Sequence, residues 1–444
     1  MRIRNIWRWT LFLLCFSTAI LAVMLGWRAR PVMLENESFN SFFPKKRFQE
    51  AMRAPVPDWM ERQLDSDFRA IAPITTTAVE TTFATIESRT RALQLRFDHC
   101  VHYRILDNKL YKFIPEGTEC SPRDTQFEKA FKTLLSHANV SDVDFILCPM
   151  DGLPEAYMEP DFYLTEDPKN QAPILAQSKL KEPLTRSIVL IPDLFSLSKS
   201  WYEIAPEVLS LNDRIPWQQK KGVAFWRGAF TDKGTPNGEY PLFEQTPRLE
   251  ICRLSLEQPN LINAGLTGIE PLADPAVYER LGLMKNMASR EEHLHYKYLP
   301  VLDGHMCTYP GYQWRLLSDS VCFKQESDQV QWFYSALKPY EHYIPIANDM
   351  SDLAERVRWA EEHDELVQQI MANARDFASR HLKIEDDYRY LYLVLERYAS
   401  MQKIDFKALK KETRADPHWV CIQYRKRAAL MKMFRRLRER VQPA

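Results

Sequence analysis

The run Val-Asp-Phe-Ile-Leu-Cys-Pro-Met-Asp over residues 143–151 sets the carboxylate of Asp151 just past an apolar stretch that reads as a buried strand, and Gly152 and Pro154 shape the loop that follows. A carboxylate at a strand mouth is in place to take a proton from a substrate hydroxyl as a general base. A turn-forming aspartate is the plain alternative. A second apolar strand within residues 220–230 (KKGVAFWRGAF) ends in Trp226-Arg227-Gly228. A fixed guanidinium beside a residue that permits close backbone approach suits a phosphate, although an arginine at a strand end more often makes a surface ion pair. With 12 glycines and neither GxGxxG nor GxxxxGK[ST], any nucleotide must be held without the usual glycine-rich loops.

Metal chemistry has little support. Asp142-Val143-Asp144 is formally a DxD triplet, but it precedes its strand and reads as a solvated strand start, and His293-x-His295 has no third ligand nearby. None of the 8 cysteines forms a CxxC pair; Cys148 and Cys322 sit in apolar runs, Cys15 lies in the apolar N-terminal stretch, and Cys100 with Cys120 is the local pair worth testing. We expect no metal and no cofactor. Trp201, Tyr202 and Trp226 are candidates to stack on an acceptor, against the ordinary use of aromatics as core.

The elements that must position these residues follow from the apolar pattern. The length, 444 residues, suits two packed domains, and 59 basic against 59 acidic residues leave no global field to draw the chain onto nucleic acid. Short apolar runs begin near residues 143, 188, 223, 298, 321 and 343, and helical periodicity covers 58–71, 127–137, 248–258, 353–382 (broken near 362–364) and 386–401. Strands alternating with helices predict an α/β protein with two parallel sheets facing across a cleft, ligands lying at the carboxyl ends of the strands. The division expected is a basic N-terminus (1–8), an apolar span (9–27), a stem (28–56), an N-terminal domain (57–215), a C-terminal domain (216–402) and a basic helical tail (403–444), the last with eight Lys or Arg against one acid between Arg425 and Arg440. Nineteen apolar residues over 9–27 rise about 28 Å as a helix and predict a single-pass anchor. Flanking arginines place its N-terminus on the cytoplasmic side and the body in a lumen or periplasm; a basic tail laid on an anionic leaflet would argue for the other side.

The blocks HLHYKYLPVLDG (293–304), LLSDSVCFKQES (316–327) and LKPYEHYIPIANDMSDL (337–353), with VAFWRGAF, IPDL (191–194), YRILDNKLYKF (103–113) and PDWMERQLDSDF (57–68), resemble family-90 glycosyltransferases. That resemblance implies a GT-B architecture of two Rossmann-like domains, the donor mainly on the C-terminal one, and metal-independent inverting transfer from a UDP-sugar of glucose or xylose type. It implies Asp151 as base, with Arg227, Gly228, Arg248, Asp303, Gly304, Lys324 and Glu326 at the donor, Glu326 on ribose hydroxyls. Family members often carry Ser-x-Arg after the Asp-Gly; this chain has CTYPGYQWR (307–315), which leaves Arg315 as the substitute. The implied acceptor is a glycan, a lipopolysaccharide or a protein. Two rival readings stand beside it: a membrane-tethered glycan-binding protein without catalysis, and a metal-dependent transferase using Asp142 and Asp144.

Overall fold

The computed structural model describes residues 32–34, 42–69, 71–93, 99–116, 122–153, 160–181, 187–231, 246–269 and 275–424. The expected anchor over 9–27 and the basic segment 425–444 lie outside them. Among the described residues no helix is long and apolar enough to cross a membrane.

In chain order the strands are β1 (Val32–Leu34), β2 (Val101–Leu106), β3 (Lys109–Phe113), β4 (Val143–Leu147), β5 (Ile174–Ala176), β6 (Lys179–Leu180), β7 (Ile188–Leu190), β8 (Lys221–Phe230), β9 (Ile262–Ile269), β10 (Tyr296–Val301), β11 (Val321–Gln325), β12 (Gln329–Val330), β13 (Ile344–Ile346) and β14 (Trp419–Tyr424). They form a seven-stranded sheet ordered β1-β14-β3-β2-β4-β5-β7, a five-stranded sheet ordered β13-β11-β10-β8-β9, and a two-stranded ribbon of β12 and β6. The chain is thus α/β. The second sheet is wholly parallel, as the strand-helix alternation predicts. The first is mixed: β4, β5 and β7 run parallel, as do β1 and β14, whereas β2 is antiparallel to β3 and β4, and β3 to β14. The difference has a local cause, because Asp107 and Asn108 both adopt positive φ (51° and 57°) and close β2 onto β3 as a hairpin.

The larger apolar core takes in the first sheet and one face of the second, through Phe225, Leu299, Val301 and Cys322. Strands β4, β5 and β7 are buried along their whole length, as expected of strands covered on both faces. A second cluster around Trp226, Ile262, Tyr298 and Phe323 fills the parallel sheet. Because β8, β10 and β11 are parallel and Val301 pairs with Lys324, their carboxyl ends share one rim. That rim carries Arg227, Asp303, Gly304, Lys324 and Glu326. The chain then returns to the first lobe through helix Ile384–Ser400, whose Tyr398 hydroxyl donates to Pro173 O at 3.0 Å.

Two spans differ from expectation. The stem holds β1, paired with β14, and helix Lys45–Arg53, which buries Phe48. Among the described residues of the tail, Phe406–Ala415 is helical; after it β14 joins the first sheet, where Trp419 pairs with Phe113 and its ring lies 3.9 Å from the Arg104 guanidinium carbon. β-Branched and aromatic residues in WVCIQY favour the strand once an unpaired edge is offered.

The first turn of helix Ile384–Ser400 yields a stability prediction. Asp387 is fully buried, neither of its carboxylate oxygens has a partner among the described residues, and burial followed by the nearby Asp193, Asp386 and Glu385 pushes its pKa well above the carboxylate range. Burial also raises the neighbouring Asp386, to about 6. A folded-state pKa above the unfolded one means that the native state holds more protons, so stability falls as pH rises from about 4 through the folded value. Asp387→Asn removes that loss, and its melting temperature is expected to exceed that of the parent by several degrees at pH 8 and much less at pH 4.5. The gain comes from removing the ionisable group alone, since the buried amide of asparagine lacks partners just as the protonated acid does. An equal melting temperature at both pH values would refute the burial argument.

Candidate functional site

Asp151 lies four residues beyond the carboxyl end of β4, and the loop carrying it is tied to the neighbouring strand. Ser178 Oγ donates to Asp151 O at 2.8 Å, Gln177 Nε2 donates to Met150 O at 2.7 Å, and the Tyr309 hydroxyl, 2.9 Å from Ser178 Oγ, donates to Asp151 O. The backbone is therefore fixed while the side chain stays part-exposed, and among the described residues its one ion pair is to Arg123 Nη1 at 3.1 Å. Gly152 must be glycine: a Cβ there would lie 2.0 Å from Ser178 Oγ, 2.8 Å from Ser178 O and 2.9 Å from Met306 Cε. Met306 and Tyr309 belong to the second lobe, so the loop after β10 reaches across to the backbone that carries Asp151.

The other end of that loop meets Arg248. Gly304 N donates to Met306 O at 2.9 Å, and a Cβ on Gly304 would fall 2.7 Å from Arg248 Nη2. Arg248, on helix Pro247–Glu257, donates to Asp303 O at 2.9 Å, to Ala229 O at 2.6 Å and to Leu302 O at 3.3 Å, clamping the ends of β8 and β10 together. Arg227 donates to Trp226 O, to Asn263 O and to Asn263 Oδ1 at 2.8–3.0 Å and lies over the Phe225 ring. Gly228 serves Trp226 rather than an open surface, since a Cβ there would meet the indole at 2.5 Å.

Arg315 stands apart. It is buried, its Nη1 folds back to Gly311 O at 2.9 Å, its Nε has no partner, and among the described residues it forms no ion pair. Burial pulls its pKa down to about 10, with Arg248 adding to the drop. Next to it His293 is held neutral, at about 3, by burial and then by the charges of Arg315 and, more weakly, Arg227. Two arginines and a histidine kept uncharged leave a positive field with little protein anion to answer it, the setting in which a phosphate is bound.

Asp303 is buried with one oxygen unpartnered; its other oxygen accepts from Ser327 Oγ and lies 3.5 Å from Lys324 Nζ. Lys324 and Glu326 line a cavity of about 410 Å³ between the lobes, along with Gln63 and Lys179 from the first lobe and Tyr312 and Tyr343 from the second. The Tyr343 hydroxyl donates to Glu326 Oε1 at 3.2 Å. The ribbon of β6 and β12 crosses beside this cavity and joins the lobes.

Several sequence candidates fall elsewhere. Trp201 is buried with Nε1 donating to Leu382 O at 2.9 Å, and Trp226 is buried in the second core, so neither offers a face to an acceptor. Tyr202 is half-buried against the first core. Asp144 is not solvated: it is fully buried and paired with His102 at 2.6 Å and Arg104 at 3.2 Å, while Asp142 pairs with Lys410 at 2.5 Å. Both belong to the start of β4, at the end away from Asp151. Among the described residues no three His, Cys, Asp or Glu side chains are grouped to hold a metal ion. Cys100 is a free thiol, and Cys120 lies outside the described residues.

Sequence reasoning missed Arg123, Ser178 and Tyr309. Arg123 had a local signal, because Pro122 is the first residue of helix Pro122–Leu135 and marks a helix start. Ser178 and Tyr309 had none.

The pattern describing Glycosyl transferase family 90 matches residues 76–442. Among curated proteins, the chain is 32% identical over 209 residues to Protein O-glucosyltransferase 3 of Homo sapiens, covering 47% of this chain and 38% of that protein. It is 31% identical over 187 residues to Protein O-glucosyltransferase 2 of Danio rerio, covering 42% and 34%. The chain thus spans well under half the length of these relatives. A crystal structure of Anabaena HepE in complex with UDP-glucose aligns with 66% of this chain and 78% of that one, at 11% identity and a TM-score of 0.33.

Proposed function

The chain belongs to glycosyl transferase family 90, and on that premise we propose that it moves a sugar of glucose or xylose type from a UDP-sugar to an acceptor hydroxyl on a glycan, lipopolysaccharide or protein, with inversion and without a metal. The observation that carries this reading is the loop Asp303–Tyr309, which touches Asp151 at one end and Arg248 at the other. A base and a cationic site so joined can act on the two ends of one displacement.

In this mechanism the acceptor oxygen attacks the anomeric carbon as Asp151 takes its proton, and the bond from that carbon to the UDP oxygen breaks. Negative charge gathers on the departing diphosphate, where Arg248 and Arg227, with Arg315, supply the compensation that a cation would otherwise give. Lys324 and Glu326 place the rest of the donor in the interlobe cavity, Glu326 accepting from sugar hydroxyls. The two facing lobes are read as a GT-B pair, residues 57–215 and 216–402, with helix Ile384–Ser400 closing the first. Residues 9–27 are read as a single-pass anchor with the body on the luminal or periplasmic side.

The test is a panel of UDP-sugars. One of them, at about 100 times its dissociation constant, is expected to stabilise the fold by ~2.7 kcal/mol and to release UDP when a suitable acceptor is added. EDTA is expected to leave both readouts unchanged, whereas a metal-dependent enzyme would lose turnover. A panel in which no UDP-sugar stabilises the chain would end this reading.

A further inference from the structure

We infer that Tyr309 is a positioning residue for the transfer step: its hydroxyl holds the main chain of Asp151 from the opposite lobe and so sets the reach of the base toward the donor. The inference rests on the reading of Asp151 as the base and deepens it. Within its own lobe Asp151 is tied by Gln177 on Met150 O, by Ser178 on Asp151 O and by Arg123 on the carboxylate. These contacts place the base against the first sheet. They do not set its distance from a donor held by Arg227 and Arg248 of the second lobe. Among the described residues, the hydrogen bond that ties Asp151 to that lobe is the one its carbonyl accepts from the Tyr309 hydroxyl.

The segment that presents Tyr309 is short and braced. Thr308 Oγ1 donates to Leu302 O and Gly304 N to Met306 O at 2.9 Å, so the loop is closed on itself. At one end Arg248 Nε grips Asp303 O at 2.9 Å, and Ser327 Oγ donates to the Asp303 carboxylate. At the other, Met306 Cε packs over Gly152 so closely that a Cβ there would come within 2.9 Å of it. A braced segment transmits a displacement instead of absorbing it. Occupation of the cationic site beside Asp303 is therefore felt at the carbonyl of Asp151.

The hydroxyl suits this work. Burial, and after it Cys307 and Asp151, push the Tyr309 pKa well above the usual phenol range, so the group keeps the proton that it donates. Misplacing reacting groups by about 1 Å costs on the order of 10²-fold in rate, and a tie across the cleft at the backbone of the base limits that error. Other hydrogen bonds between the lobes, Lys181 N to Asp328 O at 2.8 Å and Ser335 Oγ to Gln63 Oε1 at 2.7 Å, run along the interlobe cavity and not at the base.

The experiment compares Tyr309→Phe, Asp151→Asn and the double variant in the full chain. Tyr309→Phe keeps the ring and removes the hydroxyl; kcat is expected to fall by about 10- to 100-fold, while UDP affinity and the donor KM change by less than about 2-fold. In the Asp151→Asn background the same change should cost less than about 2-fold, because a residue that acts through the base has nothing left to position. Hydrogen exchange gives a readout independent of turnover. The Leu153 amide donates to Ser178 O at 3.0 Å in the same loop. UDP is expected to slow its exchange by at least ~5-fold in the parent and by less than ~2-fold in Tyr309→Phe. A Tyr309→Phe chain at the parental kcat, a loss that recurs in full in the Asp151→Asn background, or equal protection by UDP in both chains would overturn the inference and leave Asp151 as the base. Parental turnover by Asp151→Asn would instead overturn the reading beneath it.

Discussion

Asp151→Asn is expected to lower turnover by roughly 10³-fold while UDP binding changes by less than about 2-fold, in line with the 10²–10⁴-fold contribution of a positioned general base. The separation follows from the geometry. The loop is held through backbone oxygens and Gly152, contacts that asparagine leaves intact, and the side chain itself makes one part-exposed pair with Arg123. An amide keeps the shape and removes the proton acceptor. The measurement is single-turnover transfer alongside UDP titration; turnover at the parental rate would dismiss Asp151 as the base.

Arg315→Met is expected to move stability and binding in opposite directions. In the unliganded fold Arg315 is a buried cation that meets no carboxylate among the described residues and leaves its Nε unsatisfied. Replacing such a charge by an apolar side chain of similar length is neutral or stabilising, so the melting temperature should hold or rise. If the guanidinium exists to meet a diphosphate, the same change forfeits a charge-assisted hydrogen bond worth ~1.5–3 kcal/mol, which is about 10- to 100-fold in UDP affinity. Arg315→Lys, keeping the charge without the planar fork, should fall between. A stabilised variant with unchanged UDP affinity would assign Arg315 a purely structural place. A destabilised one would show that Gly311 O, its hydrogen-bond partner in the helix Gly311–Leu316, needs it.

The loop from Asp303 to Tyr309 is held at its two ends by different groups. Tyr309 fixes Asp151 from the second lobe, and Arg248 fixes Asp303 from the helix after β8. The sugar would be transferred where these meet, and loss of either group leaves the other in place.

What the sequence determines by itself is what local pattern encodes. Apolar runs at residues 143, 188, 223, 298, 321 and 343 mark buried strands because burial on both faces requires them to be apolar, and those strands appear within a few residues of expectation. The break near 362–364 shows in the structure as helices Leu353–Glu362 and Asp364–His381. Asp151 stands out by its place after an apolar strand, whereas Arg248 is pointed to only by what the family resemblance implies.

Tertiary structure alone decides how a polar or aromatic side chain is spent. Asp144 looks like a solvated strand start until His102, Arg104 and Gln402, the last 258 positions away, close over it. Trp201 and Trp226 have the composition of a sugar platform and the position of core. Strand β14 forms only because β3 presents an open edge about 300 residues earlier in the chain. Arg315 meets no carboxylate among the described residues, which no local pattern around it announces. Periodicity reports the face a segment turns inward, whereas the free energy of burying a charge depends on which distant groups arrive to meet it, and no local pattern carries that information.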